Sequence, residues 1–127
     1  MATAAYSVIY ESVAVKVIKW TLKHVTTPAF DERVGAPYVF SGRYPDKSIQ
    51  MYGTFGAGTV KLEGSNEVVA APTSWVSLND PNGNELVFTA ATQRIEQVLE
   101  NPMQIRPNMT TLVADVEITV LLLIKGK

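Results

Sequence analysis

The chain contains no cysteine. A disulfide framework, a thiolate metal site and a cysteine nucleophile are therefore excluded. Small secreted domains commonly rely on such staples, so the absence favours an intracellular origin. Stability must come from a packed core or from assembly. Histidine is almost missing too: His24 stands alone, beside Lys23, with nothing near it at ligand spacing. A catalytic triad would need it, and a metal site rarely uses one histidine without carboxylates close by. It reads as a surface or edge residue. Long apolar runs are also lacking. The longest, Val120 to Ile124, is far short of the ~18 residues a membrane span needs and suits a buried strand. The opening MATAAYSVIYES has neither a basic start nor a long apolar stretch, so it does not read as a signal peptide. Charge is scarce: 18% of residues against roughly 25% in an average domain. The net charge of −1 leaves no strong electrostatic footprint for nucleic acid. The low charge hints that partners cover part of the surface.

What remains is a chain of 127 residues, 46% hydrophobic, the size of one domain with a proper core. Residues 1–5 read as a flexible arm. Tyr6 to Tyr10 is a short strand, and Val13 to Val25 is β-branched and alternating. The alternation changes phase: Val13, Val15 and Val17 share one face, Ile18, Trp20 and Leu22 the other. This predicts a bulge near Val17–Ile18, or a strand that passes between sheets. Lys16, Lys19 and Lys23 take the polar side. A solvated face is the simpler reading and a phosphate-binding stripe the alternative.

Residues 26–47 form a long irregular stretch punctuated by Pro28, Gly35, Pro37, Gly42 and Pro45. It nevertheless carries Phe30, Tyr38, Phe40 and Tyr44, with Arg33 and Arg43 among them. Two readings stand side by side. Tyr38 to Phe40 is a short core strand in a packed loop, or the aromatics and arginines form a protein–protein interface.

Beyond it, Ser48 to Thr54 and Thr59 to Glu63 alternate as strands, with Val60 and Leu62 inward. The intervening GTFGAG lacks the terminal Gly-Lys-Ser/Thr of a nucleotide loop and the spacing of the dinucleotide fingerprint. Its glycines fit a kink or close strand packing. Ser74 to Leu78 is a strand, with Trp75, like Trp20, read as core. Asp80-Pro81-Asn82-Gly83 is a turn, and Asn82-Gly83 predicts a type I′ hairpin. Asp80, Asn82 and Asn84 have the oxygen alternation of a calcium loop, but Glu85 stands where that loop needs glycine. Glu85 to Ala90 alternates inward at Leu86, Phe88 and Ala90. Thr92 caps a helical turn with Ile95, Val98 and Leu99 on one face, ended by Asn101-Pro102. Glu96 and Glu100 lie opposite that face and read as solvated. Gln104 to Met109 is extended around Pro107.

The last strand, Asp115 to Lys125, places Val116, Ile118, Val120, Leu122 and Ile124 on one face. Leu121 and Leu123 fall on the other, so its second half is apolar on both sides. That fits a subunit interface or cover by a loop. Strands recur about every ten residues with turns between them, which predicts a single all-β domain over residues 1–127: an antiparallel β-sandwich with one short helix. No positioned acid, base or nucleophile stands out, so no enzyme, metal or cofactor is expected.

The block GTFGAGTVKLEGSNE, followed by SWVSLNDPNGNELVFTAATQRIEQVLENPMQIRP, resembles small virion proteins of tailed bacteriophages. The pattern is a GTF-G-x-x-T-V-x-L-x-G-S strand, a W-x-x-L hairpin, a short I-E-x-V-L-E-N-P helix and an I-R-P strand. It covers about residues 53–107, and the stretch between Ser65 and Trp75 departs from it. The resemblance implies a capsid decoration (cement) protein, a homotrimer on the virion surface that clamps the major capsid protein. It supplies no catalytic residues. The candidate contact residues are Phe30, Arg33, Tyr38, Phe40, Arg43, Tyr44, Leu121 and Leu123. Alternatives are a head–tail connector or tail component, and a carbohydrate-binding module stacking sugars on Trp20 or Trp75.

Overall fold

The structure, a computed structural model, describes residues 2–40, 45–111 and 114–126. Among these residues the chain forms thirteen strands: β1 (Thr3–Ala4), β2 (Tyr6–Glu11), β3 (Val15–Val25), β4 (Phe30–Glu32), β5 (Val34–Gly35), β6 (Tyr38–Val39), β7 (Asp46–Thr54), β8 (Thr59–Ser65), β9 (Val76–Ser77), β10 (Val87–Phe88), β11 (Ile95–Gln97), β12 (Gln104–Thr111) and β13 (Val116–Lys125). They make two sheets. One has the order β11-β7-β13-β3-β2, with β4 added to β3. The other runs β1-β5-β12-β8-β10, with β6 on β12 and β9 on β8. Apart from the short parallel pair β1–β5, the pairing is antiparallel. Among the described residues no helix is long and apolar enough to cross a membrane.

The core lies between the sheets. One wall is Ile18, Trp20 and Leu22 of β3, Ile49 and Met51 of β7, and the even-numbered residues of β13 from Val116 to Ile124, all buried. The facing wall includes Val60, Leu62, Phe88, Ile105 and Met109. Trp20 is fully buried, and its indole N–H donates to Ala36 O at 2.8 Å, which satisfies the one polar atom that burial would orphan.

Several expectations need correcting. Residues 1–5 are not a loose arm: Thr3 and Ala4 pair with Val34 and Gly35, and Ala4 is buried. The phase change in β3 is not a bulge in β3, which pairs without interruption from Val15 to His24 against β13. The irregularity lies opposite, in β2, where Val8 faces Ile18 but Tyr10 faces Val17, leaving Ile9 extra. Val15 and Val17 simply occupy the outer face. The predicted helix after Thr92 is instead a single 3₁₀ turn at Ala90–Thr92, capped by Thr89, and Ile95–Gln97 adds to the edge of β7 as a strand. Finally, residues 26–40 are not structureless. They place β4 on one sheet and β5 and β6 on the other, so this stretch carries the chain across the sandwich.

The Asn82-Gly83 turn is a type I turn over Pro81-Asn82 followed by left-handed Gly83 (φ 85°), not a type I′ turn. Gly83 N–H donates to Asp80 O at 3.0 Å and Asp80 N–H to Asn84 O at 2.8 Å. The type I′ geometry occurs instead at Gly56-Ala57, both with positive φ, where the chain turns from β7 into β8.

Two glycine substitutions separate conformational strain from lost space. A Cβ at Gly53 (φ 131°) would lie 2.3 Å from Glu117 O of the paired strand, whereas a Cβ at Gly83 would meet nothing within 4 Å. Gly83→Ala should therefore cost about 1–2 kcal/mol, the left-handed penalty alone. Gly53→Ala should cost about 3 kcal/mol or more, because strain and clash add. Urea unfolding of the two variants measures both, and equal losses would refute the packing argument.

Candidate functional site

β13 is paired on both sides, by β3 and β7, so its odd-numbered residues meet the odd residues of β3 and the even residues of β7 in rows across the outer face. One row runs Gln97, Ser48, Leu123, Val17, Tyr10. The next runs Ile95, Gln50, Leu121, Lys19, Ser7. Leu121 and Leu123 point away from the core and are only partly covered. With Val17, Ile95, Ser48 and Gln50 they line a shallow depression of about 170 Å³. It adjoins a larger one of about 360 Å³ that shares Ser48, Ile95 and Leu123 and adds Asp46, Lys47, Gln97 and Lys125. Around it stand Ile95 (65% exposed) and Tyr10 (56% exposed). The strip is mostly aliphatic, with the neutral Ser48 and Gln50 between β11 and the two leucines and the charges of Lys19, Asp46 and Lys125 kept beside it, and such depletion of charge marks an interface patch.

The outer face of the other sheet is different. Lys61 pairs with Glu85 at 3.4 Å, Arg106 Nε donates to Glu63 at 3.0 Å, and Asn108 Nδ2 reaches the same carboxylate at 3.2 Å. The Arg106 guanidinium also lies 4.1 Å from the Trp75 ring centroid. Trp75 is thus half-buried on a surface, its indole N–H donating to Pro72 O at 3.0 Å, and is not a core residue as expected. Arg106 covers one face of its ring, and Trp20, fully enclosed, offers no platform for sugar.

The candidates within residues 26–47 separate. Tyr38 is 5% exposed and packs edge-on to Tyr6 at 5.2 Å and Phe40 at 5.3 Å, so it is a core residue and not a contact residue. Phe40 packs against the same core. Phe30 is exposed, with Lys23 Nζ 5.7 Å from its ring. Arg33 grips Asp31 through two bonds, Nε to Oδ1 at 2.6 Å and Nη2 to Oδ2 at 2.9 Å. Arg43 and Tyr44 lie outside the described residues. The lysines form no stripe: Lys16 shares the inward-facing set of β3 and pairs with Glu11 at 3.2 Å, while Lys19 and Lys23 face outward, Lys23 towards Glu117 at 3.5 Å. His24 Nδ1 lies 3.6 Å from Asp31, a carboxylate already engaged by Arg33.

The carboxylates are structural clamps. Asp80 Oδ1 accepts from Asn82 N–H and Asn84 N–H, each at 2.9 Å, which closes the turn. Glu100 accepts from Asn79 N at 2.8 Å and Asn79 Nδ2 at 2.7 Å, tying the crossing segment to the hairpin. The Asn84 and Asn82 amides hold the Asp80 carboxyl below its ordinary 3.8. The Arg33 guanidinium does the same for Asp31. Burial pushes Glu100 up, but the Asn79 bonds outweigh it and its pKa falls below the ordinary 4.5.

Several surface residues were not singled out from sequence. Ile95 escaped because its spacing to Val98 and Leu99 suggested a helix face. Tyr10 escaped because its register depends on the irregularity in β2. Val68 (83% exposed) and Val69 (52% exposed) project from a loop held at its base by Gln104 Nε2, which donates to Glu67 O and Val69 O. Only adjacent apolar residues marked it. No protein-family model matches the chain, and no curated protein matches it.

Two outcomes follow. Trp20→Ala should cost roughly 3–5 kcal/mol. Trp75→Ala should cost about 1–2 kcal/mol, the scale of a partly exposed cation–π contact. Thermal melts compare them, and a Trp75→Ala loss as large as that of Trp20→Ala would contradict its placement. The depressed carboxyl pKa values also fix a pH dependence. A group whose folded pKa lies below its unfolded value contributes stability above the unfolded value and loses it as pH falls through the folded one. For Asp31, Asp80 and Glu100 the loss begins as pH falls past the ordinary values of 3.8 and 4.5. The urea midpoint should drop below that range, and less so in an Asp31→Asn variant.

Proposed function

We propose that the protein is a non-enzymatic virion structural protein, a capsid decoration component that binds the major capsid protein and its own copies as a homotrimer. The apolar strip of Val17, Ile95, Leu121 and Leu123 on the outer face of the β11-β7-β13-β3-β2 sheet carries this reading. Two leucines standing beside each other on a strand facing water are an aggregation liability that proteins normally cover. Both are already partly covered, so covering the remainder contributes less than the ~1.5–3 kcal/mol of a fully exposed leucine, and the strip gains further from Ile95, which is 65% exposed. The opposite face, whose charges are already paired with one another, has less to gain from a partner. Low overall charge suits a molecule that works by contact area. The resemblance over residues 53–107 supplies the virion setting, since exposed apolar area by itself names no partner.

The clamp acts by covering area. Each copy lays its apolar strip against a neighbour, and the trimer spans several capsid subunits so that separating them exposes those strips to water. The test is the double variant Leu121→Lys with Leu123→Lys. It should stay folded by circular dichroism, because both side chains point away from the core, and should be a monomer by light scattering. It should also fail to cosediment with empty capsids, which the wild type decorates. A wild type that is already a soluble monomer and ignores capsids overturns the proposal. Binding to isolated necks or tails instead of heads relocates it to a connector.

A further inference from the structure

Lys47 lies on the inward face of β7, in line with Ile49 and Met51, and is only 3% exposed. Lysine is almost never so enclosed without a specific partner. Its Nζ donates to Asn101 Oδ1 and stands 5.7 Å from the centroid of the Phe40 ring. Asn101 sits where the chain leaves β11 in one sheet and crosses to β12 in the other. Val98 N–H donates to Lys47 O at 3.0 Å, which fixes β7 against the start of this crossing. Glu100 precedes Asn101, is held by Asn79, and lies close enough for its charge and that of Lys47 to act on each other. An amine, a carboxamide and a carboxylate thus converge at the seam between the two sheets.

We propose that Lys47 and Asn101 join in an intramolecular amide bond, with Glu100 as the proton carrier. The lone pair of the neutral Lys47 Nζ attacks Asn101 Cγ, and a C–N bond forms. The tetrahedral carbon then collapses and expels the Asn101 Nδ2 group as ammonia. Glu100 takes the proton released from Nζ and delivers it to the departing nitrogen. One ammonia leaves, no electrons change hands, and no co-reactant is needed. The product is a secondary amide that ties β7 to the entry of β12.

The geometry suits this step. The oxygen that accepts from Lys47 Nζ is itself bonded to Asn101 Cγ, so the two reactants are neighbours for the life of the fold, and attack needs only that Nζ lose a proton and turn its lone pair from that oxygen to the carbon. Attack needs the uncharged amine, and burial pushes the Lys47 ammonium below its ordinary 10.5, against the opposing charges of Asp46 and Glu100. Phe40 lies against the amine, while the Asn101 side chain reaches the surface, which leaves the departing ammonia a way out. In a chain without cysteine this bond would join the two sheets as a disulfide does elsewhere. It is independent of the assembly reading.

The experiment is intact-mass spectrometry of the full chain under denaturing conditions, followed by tandem sequencing of a digest. The wild type should be lighter than its sequence by one ammonia, and the digest should contain a branched peptide joining Lys47 to Asn101. Lys47→Met and Asn101→Ala should each appear at full sequence mass. Glu100→Gln should also appear at full mass while keeping the β circular dichroism spectrum of the wild type. A wild type at full sequence mass overturns the proposal, whatever the variants do. So does an ammonia loss that maps to an unbranched peptide. A Glu100→Gln chain that still forms the branched peptide overturns the role given to Glu100.

Discussion

The strict alternation of β13 is the constraint on which the rest depends. Because it is paired on both sides, its backbone can neither slip nor turn over. One set of side chains, Val116 to Ile124, must enter the core, and the other must face outward. A one-residue shift would exchange the two sets and bury Glu117 and Lys125. The register therefore locks the core and, by the same act, presents Leu121 and Leu123 on the outside. The apolar outer strip follows directly from the strand that builds the interior.

The two faces of the sandwich handle surface differently. On the β12–β8 face, charges meet charges and Arg106 covers an indole, so the polar groups satisfy one another. Such pairs near the surface contribute little to stability, but they leave those charges matched to one another. On the β13 face Val17, Leu121, Leu123 and Ile95 lie among the neutral Ser48 and Gln50, with no matched charges among them. The seam between the sheets is a third environment. There Lys47 is enclosed, with Asn101, Phe40 and Glu100 around it. The enclosure that makes a charged amine costly also makes its neutral form accessible.

Errors in reading the chain have local causes. Ile95, Val98 and Leu99 have the spacing of a helix face, yet three residues of that segment complete the edge of β7, because an open edge offers backbone partners that an isolated helical turn does not. Asn82-Gly83 announces a turn, but Pro81 sets φ for the first corner and moves glycine one place along, to the left-handed position. Trp20 and Trp75 both sit among alternating apolar residues. Trp20 is in a central strand and is enclosed. Trp75 immediately precedes a two-residue strand and meets solvent and Arg106.

By itself the sequence determined the all-β class, the long strands and the faces of β13, because alternation is a local property that any pleated strand must express. It also determined the positions where glycine or proline bends the chain. The tertiary structure alone decided which short segments of residues 26–40 join which sheet, and that β2 carries the irregularity expected in β3. It alone placed Tyr38 in the core and Trp75 outside it. It alone brought Lys47 and Asn101 together from positions far apart along the chain. The reason is the same in each case. A two-residue strand has no periodicity of its own, and a side chain's surroundings come from strands that are neighbours only after the two sheets have closed.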